Sequence, residues 1–394
     1  MDLKVALISN EFPPDIFGGI GSFCYDLAHA LSINEIPTIV FTRKSKKIKI
    51  EKINDYLKII RFPCINLPPK HLWFQTQNFR IPLKTLKNYS IIHCIEPDIS
   101  LMGSYLKRKS KKPLITSLHG IPSIDFREFF NSPISTWTPG EFFYNVLEYP
   151  LNEILFKHAL LESDEIITCS YATLNDLYQT LSNIEKKEVT VIHNAINFQN
   201  IDNIVENFHL SKNNDQYKII FYGRLIWRKG IIYLLSAVKK LLNDIPNIKL
   251  NIFGKGPMEA LLKKMIIEMD LTNSVFIKGF VKHAELIQNI LLSDVVILPS
   301  LYEAQSVAML EAMAFKKPII AFDFPFTREC IKNYYNGLLA KSRDSDSLAN
   351  KIKELLMDKN LMNNLGKNAY TYVKENHNWE KQIKKYIKIY EKKI

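Results

Sequence analysis

An α/β chain made of two doubly wound, Rossmann-like halves is the fold class this sequence predicts. Short apolar, β-prone runs alternate with segments of helical periodicity along nearly the whole chain. The series pauses at an Asn- and Asp-rich stretch, 197–216, and then resumes. The length of 394 residues is too great for one average domain and fits two.

In the first half, residues 3–9 (Leu-Lys-Val-Ala-Leu-Ile-Ser) read as a buried parallel strand. Gly18-Gly19-Ile20-Gly21 then opens a helix with Phe23, Leu27, Ala30 and Leu31 on its apolar face. Strand-like runs follow at 38–42, 59–62, 90–94, 114–118, 165–170 and 189–192. The second half repeats the plan at 218–222, 249–253, 274–279, 295–298, 318–321 and 337–340. The closing segment 379–394 is basic and amphipathic, with Ile383, Tyr386, Ile387 and Tyr390 on one side, and is expected to dock as a terminal helix. The expected division is 1–200 with the returning helix 378–394, against 201–377.

Nearly half the residues are apolar and the formal charge is +12. Between Arg43 and Lys112 there are 17 Lys and Arg against 4 Asp and Glu, an excess we expect to form one surface. That surface suits solvent or anionic lipid head groups. No helix-turn-helix, zinc finger or aromatic RNA-binding motif accompanies it, so nucleic acid is not an expected partner. Five scattered cysteines without C-x-x-C spacing argue against a disulfide framework or a zinc site. No apolar run is long enough to span a membrane and no export signal is evident, so a cytoplasmic location is expected, peripheral on the inner face of the membrane if the basic surface binds lipid.

The most telling segment is Pro299 to Ala314, where a strand runs into a helix and two carboxylates, Glu303 and Glu311, stand eight residues apart. Eight helical residues rise about 12 Å, so a helix entered at Glu303 would set the two acids near the ends of an extended ligand. Free N–H groups of the first turn suit an anion between them. Spacing alone leaves open an amphipathic helix whose two Glu face water. Arg224 and Lys229 follow a strand end closely enough to converge on one anion. Gly254 and Gly256 flank a turn where a Cβ would crowd a ligand, although a plain turn reads equally well. His119 ends a strand beside Gly120, where doubly wound sheets place ligand contacts. Asp344-Ser345-Asp346 resembles a metal-binding Asp-x-Asp, but the apolar spacing after it reads as a helix with an Asp cap. Aromatic residues crowd 126–149, either as local core or as an acceptor groove or membrane-dipping insertion.

Taken in order, Gly18-Gly19, Ser117-Leu118-His119-Gly120, Val191 to Asn197, Gly223-Arg224-x4-Lys229-Gly230, Phe253-Gly254-Lys255-Gly256-Pro257 and Glu303-x7-Glu311 resemble the motifs of retaining GT-B glycosyltransferases of family 4. The resemblance implies two domains facing across a cleft, with the last helix crossing back to the first. It implies a nucleoside-diphosphate-sugar donor, a glycan or lipid-linked acceptor, and no cofactor or metal. Carried onto this chain, it implies His119, Arg224, Lys229 and Glu303 as catalytic residues. Donor contacts would come from Gly19, Gly223, Gly254, Gly256, Ala304, Gln305, Ser306, Val307 and Glu311, and the acceptor contacts are left unassigned. Ala304 and Ser306 stand where the family often has glycine, which bears on sugar preference. A nucleotide-sugar epimerase or hydrolase of the same architecture, or a non-catalytic nucleotide-sugar binder, stays open.

Overall fold

A computed structural model of the chain describes residues 2–14, 19–45, 47–65, 70–78, 80–181, 187–199, 201–207 and 216–394. It divides into two compact units, one made of Met1–Ser123, Val146–Asn194 and Trp379–Ile394, the other of Ile124–Asn145 and Ala195–Asn378. The segment 124–145, expected in the first half, groups with the second unit. Its acids hold groups of that unit: Asp125 accepts from Arg228 at 2.8 Å, Glu128 from Arg343 at 2.5 Å, and Glu141 from the Trp227 backbone N–H at 3.0 Å.

The first unit is built on eight strands: β1 (Val5–Ser9), β2 (Thr38–Ser45), β3 (Lys49–Lys52), β4 (Leu57–Pro63), β5 (Ile91–Cys94), β6 (Leu114–Leu118), β7 (Glu165–Thr168) and β8 (Val189–Val191). Their order is β3-β4-β2-β1-β5-β6-β7-β8, parallel except for β3 against β4. β1, β5, β6 and β7 are buried along their whole length, which is why they read as short, mostly apolar runs rather than alternating ones. β3 was not foreseen. Its Lys-Ile-Glu-Lys is exposed on the sheet edge, where charge guards against further pairing and leaves no apolar signal.

The second unit carries β9 (Tyr217–Tyr222), β10 (Ile248–Phe253), β11 (Val275–Gly279), β12 (Val295–Leu298), β13 (Ile319–Phe322) and β14 (Leu338–Ala340) in the order β11-β10-β9-β12-β13-β14, all parallel. In each sheet the chain winds outward from its first strand and then returns to that strand's other side. The reversal falls between β1 and β5 in one sheet and between β9 and β12 in the other. Such points open a crevice at the carboxyl ends of the strands.

The terminal helix Trp379–Lys393 lies in the first unit and buries Trp379, Ile383, Tyr386 and Tyr390. The Tyr390 hydroxyl bonds the buried His93 ring at 2.7 Å. Asp344 caps the helix Ser345–Met357 through the Asp346 and Ser347 N–H groups, the capping role expected of it. Within the polar stretch 197–216, Ile201–Glu206 is helical with Ile201 buried, whereas residues 200 and 208–215 lie outside the described residues.

The basic excess of 43–112 is not one surface. Arg61 is buried against the Phe12 and Pro13 carbonyls and Glu51, Arg43 donates to the Asn10 carbonyl at 2.8 Å, and Lys107 pairs with Asp164 at 2.7 Å. Arg108, Lys109 and Lys111 remain exposed. The aromatic segment also splits. Phe129 is buried and stacks on Trp137 with centroids 4.9 Å apart, while Phe142, Phe143 and Ile134 face solvent. All five cysteines are free, and all but Cys64 are buried. Among the described residues no helix is long and apolar enough to cross a membrane.

Candidate functional site

The second sheet's reversal point is where the sequence motifs meet. β9 ends at Tyr222, and Gly223 and Arg224 lead into the short turn Trp227–Lys229; β12 ends at Leu298 and leads through Pro299 and Ser300 to Glu303. These two connections are tied together by the Leu301 N–H, which donates to the Arg228 carbonyl at 2.7 Å. Gly230 makes the approach possible. It sits at φ 64°, and a Cβ there would stand 2.0 Å from the Pro299 carbonyl oxygen.

The approach brings Lys229 onto Glu303 in a direct ion pair, with Ser300 Oγ donating to the same carboxylate oxygen at 3.1 Å. Burial works against both charges. For Glu303 it is outweighed by the attraction of Lys229 and Arg228 and the hydrogen bonds from Lys229 and Ser300, so its carboxyl lies below its ordinary value. Lys229 is also shifted down, first by burial and then, against the pull of Glu303, by repulsion from Arg228 and Arg224. Arg224, Arg228 and Lys229 give this corner a surplus of positive charge over Glu303 and Asp125, the partner of Arg228, and that surplus favours an anion.

Glu303 does not sit on the helix. The helix is Val307–Ala314, capped by Ser306, whose Oγ accepts the Met309 N–H at 3.3 Å. The loop 299–306 therefore separates the two carboxylates by a folded path rather than by helical rise, which corrects the expected 12 Å ruler. Because the cap engages Met309, the N–H groups of Val307 and Ala308 lie in a first turn that offers them no acceptor of its own. Tyr222, at the end of β9, donates from its hydroxyl to the Ala308 carbonyl at 2.6 Å and pins that turn to the sheet. Ala304 and Ser306 are buried, and Val307 is half-buried. Gln305 is buried with its amide 3.8 Å from the Cys330 sulfur, so position 305 offers its backbone rather than its side chain. Glu311 is held by His283, Nε2 to Oε1 2.5 Å, at the start of the helix His283–Leu292.

The chain's own packing requires glycine at 254 and 256. A Cβ at Gly254 would lie 1.8 Å from the Gly223 carbonyl oxygen, and one at Gly256 would lie 2.3 Å from that of Leu225. The two loops are zipped by Gly223 N–H to Phe253 O and Leu225 N–H to Lys255 O, each 3.0 Å. Arg228, Ser300, Tyr222 and His283 were not singled out from the sequence. Arg228 was legible as the cation beside Lys229 in Trp-Arg-Lys, but the others depend on long-range contacts.

In the first unit, His119 follows β6 as expected. Its ring packs edge-on against Phe23, centroids 4.4 Å apart, its Nε2 has no partner among the described residues, and burial pushes its pKa down to about 4, so it is neutral near pH 7. Gly19 is exposed at the first position of the helix Gly19–Ile33, and Gly18 lies outside the described residues. Among the described residues no group of three or more His, Cys, Asp or Glu is placed to hold a metal ion.

Comparison with known proteins gives this arrangement its context. A model described as glycosyl transferases group 1 matches residues 184–372, and one described as Glycosyltransferase Family 4 matches 17–200. The chain is 28% identical over 407 residues to an uncharacterized glycosyltransferase of Methanocaldococcus jannaschii, covering 98% of each. Its fold is similar to that of a sucrose-phosphate synthase from Thermosynechococcus elongatus, with TM-score 0.75 at 20% identity over 99% of this chain and 98% of that one. It is also similar to HepE of Anabaena solved with UDP-glucose, with TM-score 0.72 at 17% identity over 98% and 99%. With two family models together running from 17 to 372, and a relative matched over 98% of both chains, the protein belongs to the group 1 glycosyltransferases and has their two-domain GT-B α/β fold.

Proposed function

We propose that the protein transfers a sugar from a nucleoside diphosphate sugar to a hydroxyl acceptor with retention of anomeric configuration and without a metal ion. The observation that carries the reading is the Lys229–Glu303 ion pair in the second unit, with Arg228, itself paired to Asp125, close enough to act on both and Arg224 close enough to act on Lys229, beside the first-turn N–H groups of Val307 and Ala308. A diphosphate gains negative charge as the sugar leaves, and fixed cations and amides aimed at it stabilise that charge in the transition state. Glu311, held by His283, is assigned to the ribose, and Glu303 to the hexose hydroxyls. His119 is the first unit's contribution to catalysis.

Retention by two displacements needs a free carboxylate nucleophile with an acid about 5 Å away. Glu303 is occupied by Lys229 and Ser300, which makes it a poor nucleophile. The reading is therefore a front-face reaction, in which the leaving phosphate takes the acceptor's proton and catalysis rests on positioning and electrostatics. HepE was solved with UDP-glucose, so UDP is the first base to try.

A thermal-shift screen with UDP, GDP, ADP and CDP and their sugars tests the donor assignment: at 100 times its dissociation constant, a true ligand stabilises by about 2.7 kcal/mol. No shift with any of them would sink the proposal. Donor consumption that needs no acceptor would identify an epimerase or hydrolase instead, and unchanged turnover in a chelator is expected. The acceptor is assigned to a lipid-linked glycan at the cytoplasmic membrane face, supported by exposed Phe142, Phe143 and Ile134 and by exposed Arg108, Lys109 and Lys111. In flotation, anionic vesicles should carry more protein than neutral ones; equal recovery would remove the membrane from the reading.

A further inference from the structure

The first sheet has its own crevice at its own reversal point, between β1 and β5, and the chemistry there differs from that of the second. A cavity of about 250 Å³ opens beyond the carboxyl ends of these strands, lined by Asn10 and Glu11 after β1, Arg43 on β2, and Glu96 and Asp98 after β5. His71 and Glu148 close it. Its size falls below that of drug-sized sites and suits one sugar ring.

The lining is short of hydrogen-bond donors. Glu96 receives the Asn10 N–H at 2.6 Å, and Asp98 receives the Asn10 amide at 3.3 Å. Among the described residues, three polar atoms around the cavity have no partner: Asn10 Oδ1, Asp98 Oδ1 and His71 Nε2. Asn10 is 7% exposed, so its orphaned carbonyl is a buried acceptor and not a surface one. Such a group costs free energy until a donor reaches it. Burial, and after it the repulsion of Asp98, pushes the Glu96 carboxyl well above its ordinary value; burial, and then the nearby Glu11, raises that of Asp98. Burial pushes His71 down to about 4, so it is a neutral ring.

We infer that this cavity is an acceptor subsite that holds one neutral sugar ring by its adjacent hydroxyls, with Asp98 and Asn10 as the accepting groups and Glu96 beside them. The inference rests on the proposed glycosyl transfer for the word acceptor, but the sugar-binding claim stands on the cavity alone. Several spaced acceptors need several spaced donors, which vicinal hydroxyls supply. Arg43 already provides a positive charge beside the carboxylates, and the acids are not placed to hold a metal ion, so a cation is the weaker match.

The test is saturation-transfer NMR on the full chain with methyl glycosides of glucose, galactose, mannose and N-acetylglucosamine, and with glucosamine as the cationic probe. At least one neutral glycoside is expected to bind. Asp98→Ala and Asn10→Ala should each weaken it at least tenfold, and Asp98→Asn, which keeps the shape and guards against a folding artefact, should weaken it less. Thermal midpoints of the variants check that they remain folded. No neutral glycoside bound by the wild type, binding unaltered in folded variants, or binding by glucosamine alone would each overturn the inference. UDP, GDP and ADP are titrated in parallel. Glycoside binding that depends on Asp98 without any nucleotide binding would sustain the subsite and remove the donor proposal; nucleotide binding without glycoside binding would do the reverse.

Discussion

Lys229→Ala is expected to lower turnover by at least about a hundredfold, the scale of removing one fixed stabiliser of a developing anion. The same change leaves Glu303 without its ion-pair partner, in side chains 15% and 12% exposed. Breaking a fully buried pair costs about 3–5 kcal/mol. With that residual exposure and Ser300 still donating, about 2 kcal/mol is the expected loss, or roughly 4–8 °C in melting temperature for a unit of this size. A double variant, Lys229→Met with Glu303→Gln, separates the two effects. Removing both charges should restore most of the stability while turnover stays low. If the double variant regained turnover along with stability, the cation would be a structural partner of Glu303 and the diphosphate assignment would fail. The pair also fixes an acid limb. Because the Glu303 carboxyl is depressed in the folded protein, its contribution is present above its unfolded value near 4.3 and is lost as pH falls through the folded value. Glu303→Gln should flatten stability in that window, and an unchanged acid limb would contradict the geometry.

Most of the strand positions and the positions of the motifs were legible because buried parallel strands announce themselves as short, mostly apolar runs, and the residues after them are the ones a doubly wound sheet brings together. β12 and β6 were expected at the residues they occupy, whereas β3 left no apolar pattern to find. The Glu303 to Glu311 spacing was visible, but its geometry was not. A helix start is set by the cap, and Ser306 rather than Glu303 takes that role, a choice between neighbouring polar residues that depends on the strand end the loop must leave. The pairing of Arg228 with Asp125 could not be read either, because it links residues 103 apart in sequence. The basic stretch failed as a single surface for a related reason. Counting charges along the chain cannot tell Arg61, folded under the Phe12 and Pro13 carbonyls, from Arg108 in solvent.

Gly254→Ala should destabilise the second unit by about 3 kcal/mol or more even with no ligand present. The new Cβ would lie 1.8 Å from the Gly223 carbonyl oxygen, a backbone atom that cannot rotate away, and the residue holds φ 132°, which an L side chain rarely adopts. Relief would require parting the loop after β9 from the loop after β10, with loss of the Gly223 to Phe253 and Leu225 to Lys255 hydrogen bonds. Since the first of those loops also carries Arg224 and Lys229, nucleotide binding should fall with stability. The expected drop in melting temperature is roughly 6–12 °C. Gly140→Ala is the matched control, because its Cβ would meet only Pro257 at 3.6 Å in an ordinary helical position, and it should shift stability by less than about 1 kcal/mol. A glycine kept open for a ligand would behave differently: its alanine variant would melt with the wild type and lose only the nucleotide-induced shift. That result would return Gly254 to the role of ligand clearance and remove the loop-to-loop contact as the reason for a glycine at this turn.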